Sequence, residues 1–128
     1  MSVNIPAELR YAKSHEWVKI EGNQATVGIS DHAQNELTEL VFVELPEVGR
    51  EVEKEEPCAV VESVKTASDI YAPLTGKITE VNEPVSEEAG TVNDDPYGEG
   101  WLFKLEISDL DEVDDLLTSE QYLEQISG

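Results

Sequence analysis

The sequence predicts a mainly β chain with a few short helices, and three observations carry that expectation. Apolar residues alternate over short runs, as in Trp17-Val18-Lys19-Ile20-Glu21, Gln24-Ala25-Thr26-Val27-Gly28-Ile29 and Trp101-Leu102-Phe103-Lys104-Leu105-Glu106-Ile107, which is the period of half-buried strands. Glycine and proline punctuate the chain between those runs. Helical spacing is confined to short stretches opened by Asp31, Asp109 and Thr118. The chain's 128 residues suffice for one modest core and are too few for two. Residues 1–128 are therefore expected to form a single domain, with 109–127 as a helical C-terminal extension packed on it.

Taken in order, the first two runs flank Gly22-Asn23 and read as a hairpin with Ala25, Val27 and Ile29 on one face. Asp31 is placed to cap a short helix with Gln34 reaching back, and Ala33, Leu37 and Leu40 follow at helical spacing. Val41-Phe42-Val43-Glu44-Leu45 returns to strand pattern and stops at Pro46, which has no N–H for a ladder. Gly49 marks a turn. Lys77-Ile78-Thr79-Glu80-Val81 is a further strand, after which Pro84, Gly90, Pro96, Gly98 and Gly100 predict a loop that Val85 and Val92 pin to the body. Trp101, Phe103, Leu105 and Ile107 then line one face of the clearest strand and are expected in the core. Asp109 with Glu112, and Thr118 with Gln121, read as capping pairs for two short C-terminal helices, the last offering Tyr122, Leu123 and Ile126 to the sheets.

Eight lysines and arginines stand against 29 aspartates and glutamates, a formal net charge of −21. Such a balance repels nucleic acid and anionic lipid, so neither is expected as a partner, and partner proteins should present basic docking surfaces. The same acidity equally serves solubility or a salty cytoplasm. Cys58 is the single cysteine, so no intrachain disulfide forms; in an apolar run it reads as a small buried hydrophobe. No segment has the length of a membrane span, and the N-terminal residues lack an apolar signal core or an Arg-rich, acid-poor leader. A cytoplasmic location fits. His15 and His32 come from separate elements without a defined ligand set, and no metal site is expected.

The middle of the chain centres on Lys65. Val60, Glu62 and Val64 alternate with Ala59, Val61 and Ser63 before it, and small or β-branched residues resume after it, so a hairpin with Lys65 at its tip is the simplest reading. The tip has no Asn-Gly or Asp-Gly, which leaves the turn type open. A lysine at a hairpin tip is ordinarily just a solvated charge. This one is framed by Val48-Gly49-Arg50-Glu51-Val52 and by Tyr71-Ala72-Pro73-Leu74-Thr75-Gly76-Lys77-Ile78, each with glycine between apolar strand-like residues. That frame resembles the swinging-arm domains, in which a tip lysine is acylated by lipoate or biotin.

Across nearly the whole chain, Ser14-His15-Glu16-Trp17, Val27-Gly28-Ile29, Asp31-His32-Ala33-Gln34, Val41-Phe42-Val43-Glu44-Leu45-Pro46, Glu62-Ser63-Val64-Lys65 and Pro96-Tyr97 are similar to the H proteins of the glycine cleavage system. A biotin carrier would read Met-Lys-Met where this chain has Val64-Lys65-Thr66. Lipoyl domains of oxo-acid dehydrogenases share the fold but lack the Ser-His-Glu-Trp lead and the C-terminal helices. The resemblance implies a flattened lipoyl/biotinyl-type barrel sandwich of two antiparallel sheets, with a short helix after the first hairpin and two short C-terminal helices. It implies a non-catalytic carrier with lipoate joined to Lys65 as an amide. Such a carrier takes an aminomethyl group from a pyridoxal-phosphate glycine decarboxylase to a tetrahydrofolate-dependent aminomethyltransferase, and is then reoxidised by dihydrolipoamide dehydrogenase. A lipoylating enzyme is a further implied partner, with Glu62 and Asp69 as acidic markers beside the lysine. Glu16, Asp69 and Ser14 resemble positions near the loaded arm, where a carboxylate favours a cationic cargo.

Two other readings keep the same arm or the same fold: a relay of lipoyl groups to other enzymes, and an unmodified interaction protein. An independent enzyme is disfavoured because no nucleophile-base pair, phosphate loop or metal cluster stands at recognisable spacing.

Overall fold

A computed structural model of the chain describes residues 5–127. The reading of the N-terminus rests in part on Met1 to Asn4, which lie outside the described residues. The strands are β1 (Arg10–Tyr11), β2 (Glu16–Glu21), β3 (Gln24–Ile29), β4 (Leu40–Glu44), β5 (Glu51–Val52), β6 (Pro57–Ser63), β7 (Ala67–Tyr71), β8 (Gly76–Val81) and β9 (Phe103–Ile107). They form a six-stranded sheet ordered β1-β2-β3-β9-β8-β5 and a three-stranded sheet ordered β4-β6-β7. Every pairing is antiparallel, and the mainly β, two-sheet expectation holds. Helix α1 (Asp31–Leu37) follows the first hairpin, α2 (Glu83–Glu87) and α3 (Gly90–Asp94) lie between β8 and β9, and a 3₁₀ helix (Leu110–Asp115) precedes α4 (Ser119–Ser127).

The inward residues of both sheets meet in one core, with Val27, Leu105 and Ile78 from the large sheet facing Val43, Val61 and Ile70 from the small one. Alternation accounts for this: on β6, Ala59, Val61 and Ser63 are buried while Val60 and Glu62 are partly exposed. Strand β2 is covered on both faces. Val18 enters the main core, whereas Trp17 points the other way into a second cluster with Leu9, Tyr11 and Tyr122. Helix α4 closes that cluster, the Tyr122 ring stacking on Tyr11 with centroids 4.7 Å apart. Gly28, opposite Trp17 in the ladder, makes room for the indole: a Cβ there would lie 2.6 Å from Trp17 Nε1.

Several expectations are corrected. The segment after β8 is not plain loop: Pro84 sits in the first turn of α2, where its missing N–H is harmless. Val85 and Val92 are fully buried as expected, one in each short helix. Trp101 is not a core residue. It precedes β9 and is only partly buried, with Lys104 Nζ 5.2 Å over its ring, while Leu102 takes the interior position. Ser30, not Asp31, caps α1, accepting from Ala33 N at 3.1 Å, although Gln34 does reach Asp31. Asp109 caps its 3₁₀ turn, but Glu112 turns away to bind Thr75 N at 2.7 Å and Thr75 Oγ1 at 2.9 Å. Thr118 and Gln121 do form a reciprocal capping pair, at 2.9 and 3.2 Å.

Candidate functional site

Lys65 stands in the three-residue turn Val64-Lys65-Thr66 between β6 and β7, and a serine supplies what glycine supplies in tighter hairpins. Ser63, 8% exposed, accepts at Oγ from Lys65 N (3.2 Å) and Thr66 N (3.1 Å). Its own N–H donates to Thr66 O at 2.7 Å. A hydroxyl binding the backbone two and three residues on replaces a backbone turn, and this is the turn type the sequence left open. Val64 N–H donates to Glu39 O at 3.0 Å, fixing the turn to the segment before β4. The Lys65 side chain is exposed and its Nζ donates to Glu36 O at 3.0 Å. No ion pair within 4.0 Å engages it among the described residues.

Around the tip lies an apolar surface. A bulge between Leu40 and Phe42 turns both Val41 (55% exposed) and Phe42 (45%) outward, beside Val64 (67%). Glu62 and Asp69 are diagonal neighbours on the outer face of the β6–β7 ladder, Glu62 opposite Ala67 and Asp69 opposite Val60. Glu62 is half-buried and Asp69 exposed.

Glu16 is elsewhere and is not a solvated residue. It sits on β2 facing the small sheet and is 0% exposed. Its Oε2 accepts from Tyr71 N at 3.0 Å, and its Oε1 from the Ser14 hydroxyl. Tyr71 ends β7, the edge of the small sheet, so Glu16 satisfies an edge N–H and ties the two sheets together. Burial pushes its carboxyl above the usual carboxylate range, opposed by the Ser14 and Tyr71 hydrogen bonds. Ser14 is exposed and lines a cleft of about 510 Å³ with Tyr11, Lys13, Tyr71 and Leu116. The structure thus brings Ser14 and Glu16 to the end of β7, two residues past Asp69, while Lys65 stands at the strand's other end.

His15 and His32 do meet, ring centroids 5.1 Å apart, and His32 Nε2 lies 3.7 Å from Glu36 Oε1. Among the described residues no group of three side chains is arranged to hold a metal ion. Cys58 is buried, and desolvation pushes its thiol up to about 12, so it is inert at neutral pH. No helix among the described residues is long and apolar enough to cross a membrane. Sequence reasoning missed Ser63, whose signal was a serine at a strand's end just before a turn. It also missed Tyr71, which acts through its backbone and carries no side-chain signal.

The arrangement is an exposed amine presented on an ordered turn, which suits covalent attachment. Comparison with known proteins identifies the family. Residues 9–128 match the family model described as Glycine cleavage H-protein. The glycine cleavage system H protein of Alcanivorax borkumensis is 58% identical over 124 residues, 97% of each chain. That of Thermotoga maritima is 59% identical over 115 residues, 90% of this chain and 93% of the relative. A crystal structure of a glycine cleavage system H protein from Mycobacterium marinum superposes with a TM-score of 0.89 at 41% identity, covering 97% of this chain and 100% of that one. With the family model spanning nearly the whole length and the fold shared in full, the chain belongs to the glycine cleavage H-protein family, the non-catalytic lipoyl carriers of that system.

Proposed function

We propose that this carrier holds lipoate on Lys65, and that Ser14, Glu16 and Asp69 receive the loaded end of the arm. The observation that supports Lys65 most is an exposed amine on a turn ordered by Ser63, with a backbone carbonyl as its polar contact. Acylating it removes a charge and sacrifices no ion pair. The attached lipoyl group would supply the sulfur that takes the aminomethyl group, passes it on, and is reoxidised as a dithiol. Lys65 fixes the arm's root, and tethering replaces a diffusional search with a high local concentration at each docked partner.

At the far end of β7, the exposed Ser14 hydroxyl and the buried Glu16 carboxylate offer acceptors for a cationic amine, with Asp69 on the same edge strand. A cation beside Glu16 favours its ionised form and draws its proton off. Glu62, Asp69 and the Val41-Phe42-Val64 surface are the features a lipoylating enzyme would read around the lysine. The partners are the pyridoxal-phosphate glycine decarboxylase, the aminomethyltransferase and dihydrolipoamide dehydrogenase, and we place the whole assembly in the cytoplasm as one carrier domain.

Intact mass of the protein purified from its native host, beside Lys65→Ala, tests the attachment. A lipoyl increment present in the first and absent from the second is expected; its survival in Lys65→Ala excludes Lys65. Release of ammonia from isolated loaded protein tests the cargo site, with Glu16→Gln expected to release faster and equal rates removing Glu16 from it.

A further inference from the structure

The turn that carries Ser14 and Glu16 has an unusual residue between them. His15 has φ +82°, in the left-handed region that few residues other than glycine occupy. Such a conformation persists only where the surroundings impose it. Its backbone is held on both sides: His15 N donates to Ala12 O at 3.0 Å, and His15 O accepts from Ser30 N at 2.9 Å. Its ring packs against His32, and its Nδ1 lies 2.8 Å from the hydroxyl of Tyr122. That hydroxyl lies 2.6 Å from Ser30 Oγ, which itself accepts from Ala33 N as the cap of α1.

Tyr122 Oη therefore joins three pieces of chain that are distant in sequence: the Ser14–Glu16 turn, the start of α1, and α4. The hydrogens have one arrangement that satisfies every group: Ser30 donates to Tyr122, and Tyr122 donates to an unprotonated Nδ1. Burial and the neighbouring His32 ring lower the His15 pKa while Glu36 opposes them, in keeping with a neutral ring. The Tyr122 ring already packs on Tyr11 and fills the second cluster, so its hydroxyl is not needed for burial. What it does is bridge Ser30 and His15.

From this junction we infer that Tyr122 and His15 are positioning residues for the cargo site: α4, through the Tyr122 hydroxyl, holds His15 in its left-handed conformation and so aligns Ser14 and Glu16 on either side of it. The inference rests on the proposed role of Ser14 and Glu16. It also gives the C-terminal helix a part in the carrier's chemistry although α4 contributes no group that touches cargo.

Three variants of the full-length carrier test it. Tyr122→Phe keeps the stacked ring and removes only the hydroxyl. His15→Ala removes the imidazole and keeps the Cβ that disfavours the positive φ, and His15→Asn keeps a polar group near the Nδ1 position in a residue that tolerates this backbone. In the unloaded protein, native-state amide exchange at residue 15 and Ser30 is expected to quicken by on the order of tenfold in Tyr122→Phe and His15→Ala, the scale of one lost hydrogen bond, with the β3–β9 amides unchanged. His15→Asn should exchange as the wild type does. In the loaded protein, Tyr122→Phe and His15→Ala should release ammonia as fast as Glu16→Gln, with lipoylation of Lys65 unaltered. Unchanged exchange at residue 15 and Ser30 in both variants, or faster exchange spread evenly over the sheets, overturns the inference. So does wild-type ammonia release in both while Glu16→Gln is fast. Wild-type release from Glu16→Gln itself overturns the cargo site, and the exchange data from unloaded protein still judge the positioning separately.

Discussion

Replacing Ser63 by alanine isolates what the turn contributes to presenting Lys65. The side chain is buried at the end of β6 and alanine fits its space, so packing changes little; what disappears is an acceptor for Lys65 N at 3.2 Å and Thr66 N at 3.1 Å and a donor to Thr66 O at 3.2 Å. A net hydrogen bond is worth roughly 0.5–1.5 kcal/mol, and water replaces part of it in an exposed turn. Three such bonds, each partly replaced by water, give about 1–3 kcal/mol, confined to opening of residues 64–66, which raises the open fraction of the turn on the order of tenfold to a hundredfold. The ladder beneath, from Glu62 opposite Ala67 downward, is untouched, so the urea midpoint should move little. If Lys65 is the attachment point proposed above, a lipoylating enzyme meets it on this turn, and its kcat/KM for the unmodified carrier should fall by about tenfold or more, while Ser63→Thr, which keeps the hydroxyl, should hold near wild type. Wild-type amide exchange at Lys65 and Thr66 together with wild-type lipoylation kinetics would refute the reasoning and make the turn's order a property of its backbone alone.

Lys65→Arg should fold normally, keep its charge and accept no lipoate, since a guanidinium does not offer this amide linkage; mass spectrometry and an assay of glycine cleavage dependent on added carrier check both halves. Glu16→Gln should keep both bonds, its carbonyl accepting from Tyr71 N and its amide donating to Ser14. The wild-type carboxyl has a raised folded pKa, so its contribution is fully present below its unfolded value of about 4.5 and is lost as pH rises through the folded value. The unfolding midpoint of Glu16→Gln should therefore match the wild type in acid and exceed it at neutral pH; a constant difference across that window is the contrary result. Trp101→Ala should cost only about 1–3 kcal/mol, below the 3–5 of a fully buried aromatic, because the ring is only partly buried at the edge of the second cluster. Gly28→Ala forces the Trp17 indole off its 2.9 Å bond to Pro96 O and should cost about 2–4 kcal/mol by urea unfolding, strain and lost bond together.

The period-2 alternation made the two sheets legible, because burial of one face leaves its mark on every second residue, as on Ala59, Val61 and Ser63 of β6. Trp101 was misplaced for the same reason. The alternation continues through it, yet the strand begins at Phe103, and Trp101 N donates to Gly98 O within the preceding turn. Helices α2 and α3 escaped because proline and glycine, read as breakers, stand at their first turns, where neither breaks a helix. The place of Lys65 at a hairpin tip was legible from the strand-like runs on either side. The burial of Glu16 was not, because the partner that accounts for it is a backbone N–H at Tyr71, 55 residues away. His15 and Tyr122 are 107 residues apart, and no local pattern links an unusual backbone angle in one turn to a hydroxyl in the last helix.

A carrier has to hold its cargo and also give it up, and the placement of Glu16 bears on both. The proposed attachment at one end of β7 and the proposed reception at the other are separated by the strand itself, four residue steps from Ala67 to Tyr71 or about 13 Å at the usual rise. Both ends are braced, by Ser63 at the tip and by Glu16 at the base, so that span is fixed by covalent chain and hydrogen bonds and not by a mobile loop. A fully exposed carboxylate would attract a cationic amine weakly, since exposed pairs are worth at most about 1 kcal/mol. A buried one attracts it strongly, but desolvating the amine offsets much of the gain. Glu16 is held between these limits: buried, with both oxygens already accepting one hydrogen bond, and adjacent to an exposed Ser14 hydroxyl at the edge of a cleft. For the proposed docked arm, a hold between these limits would favour docking over water and still let a partner's active site draw the arm out, which a deeper or doubly charged site would resist.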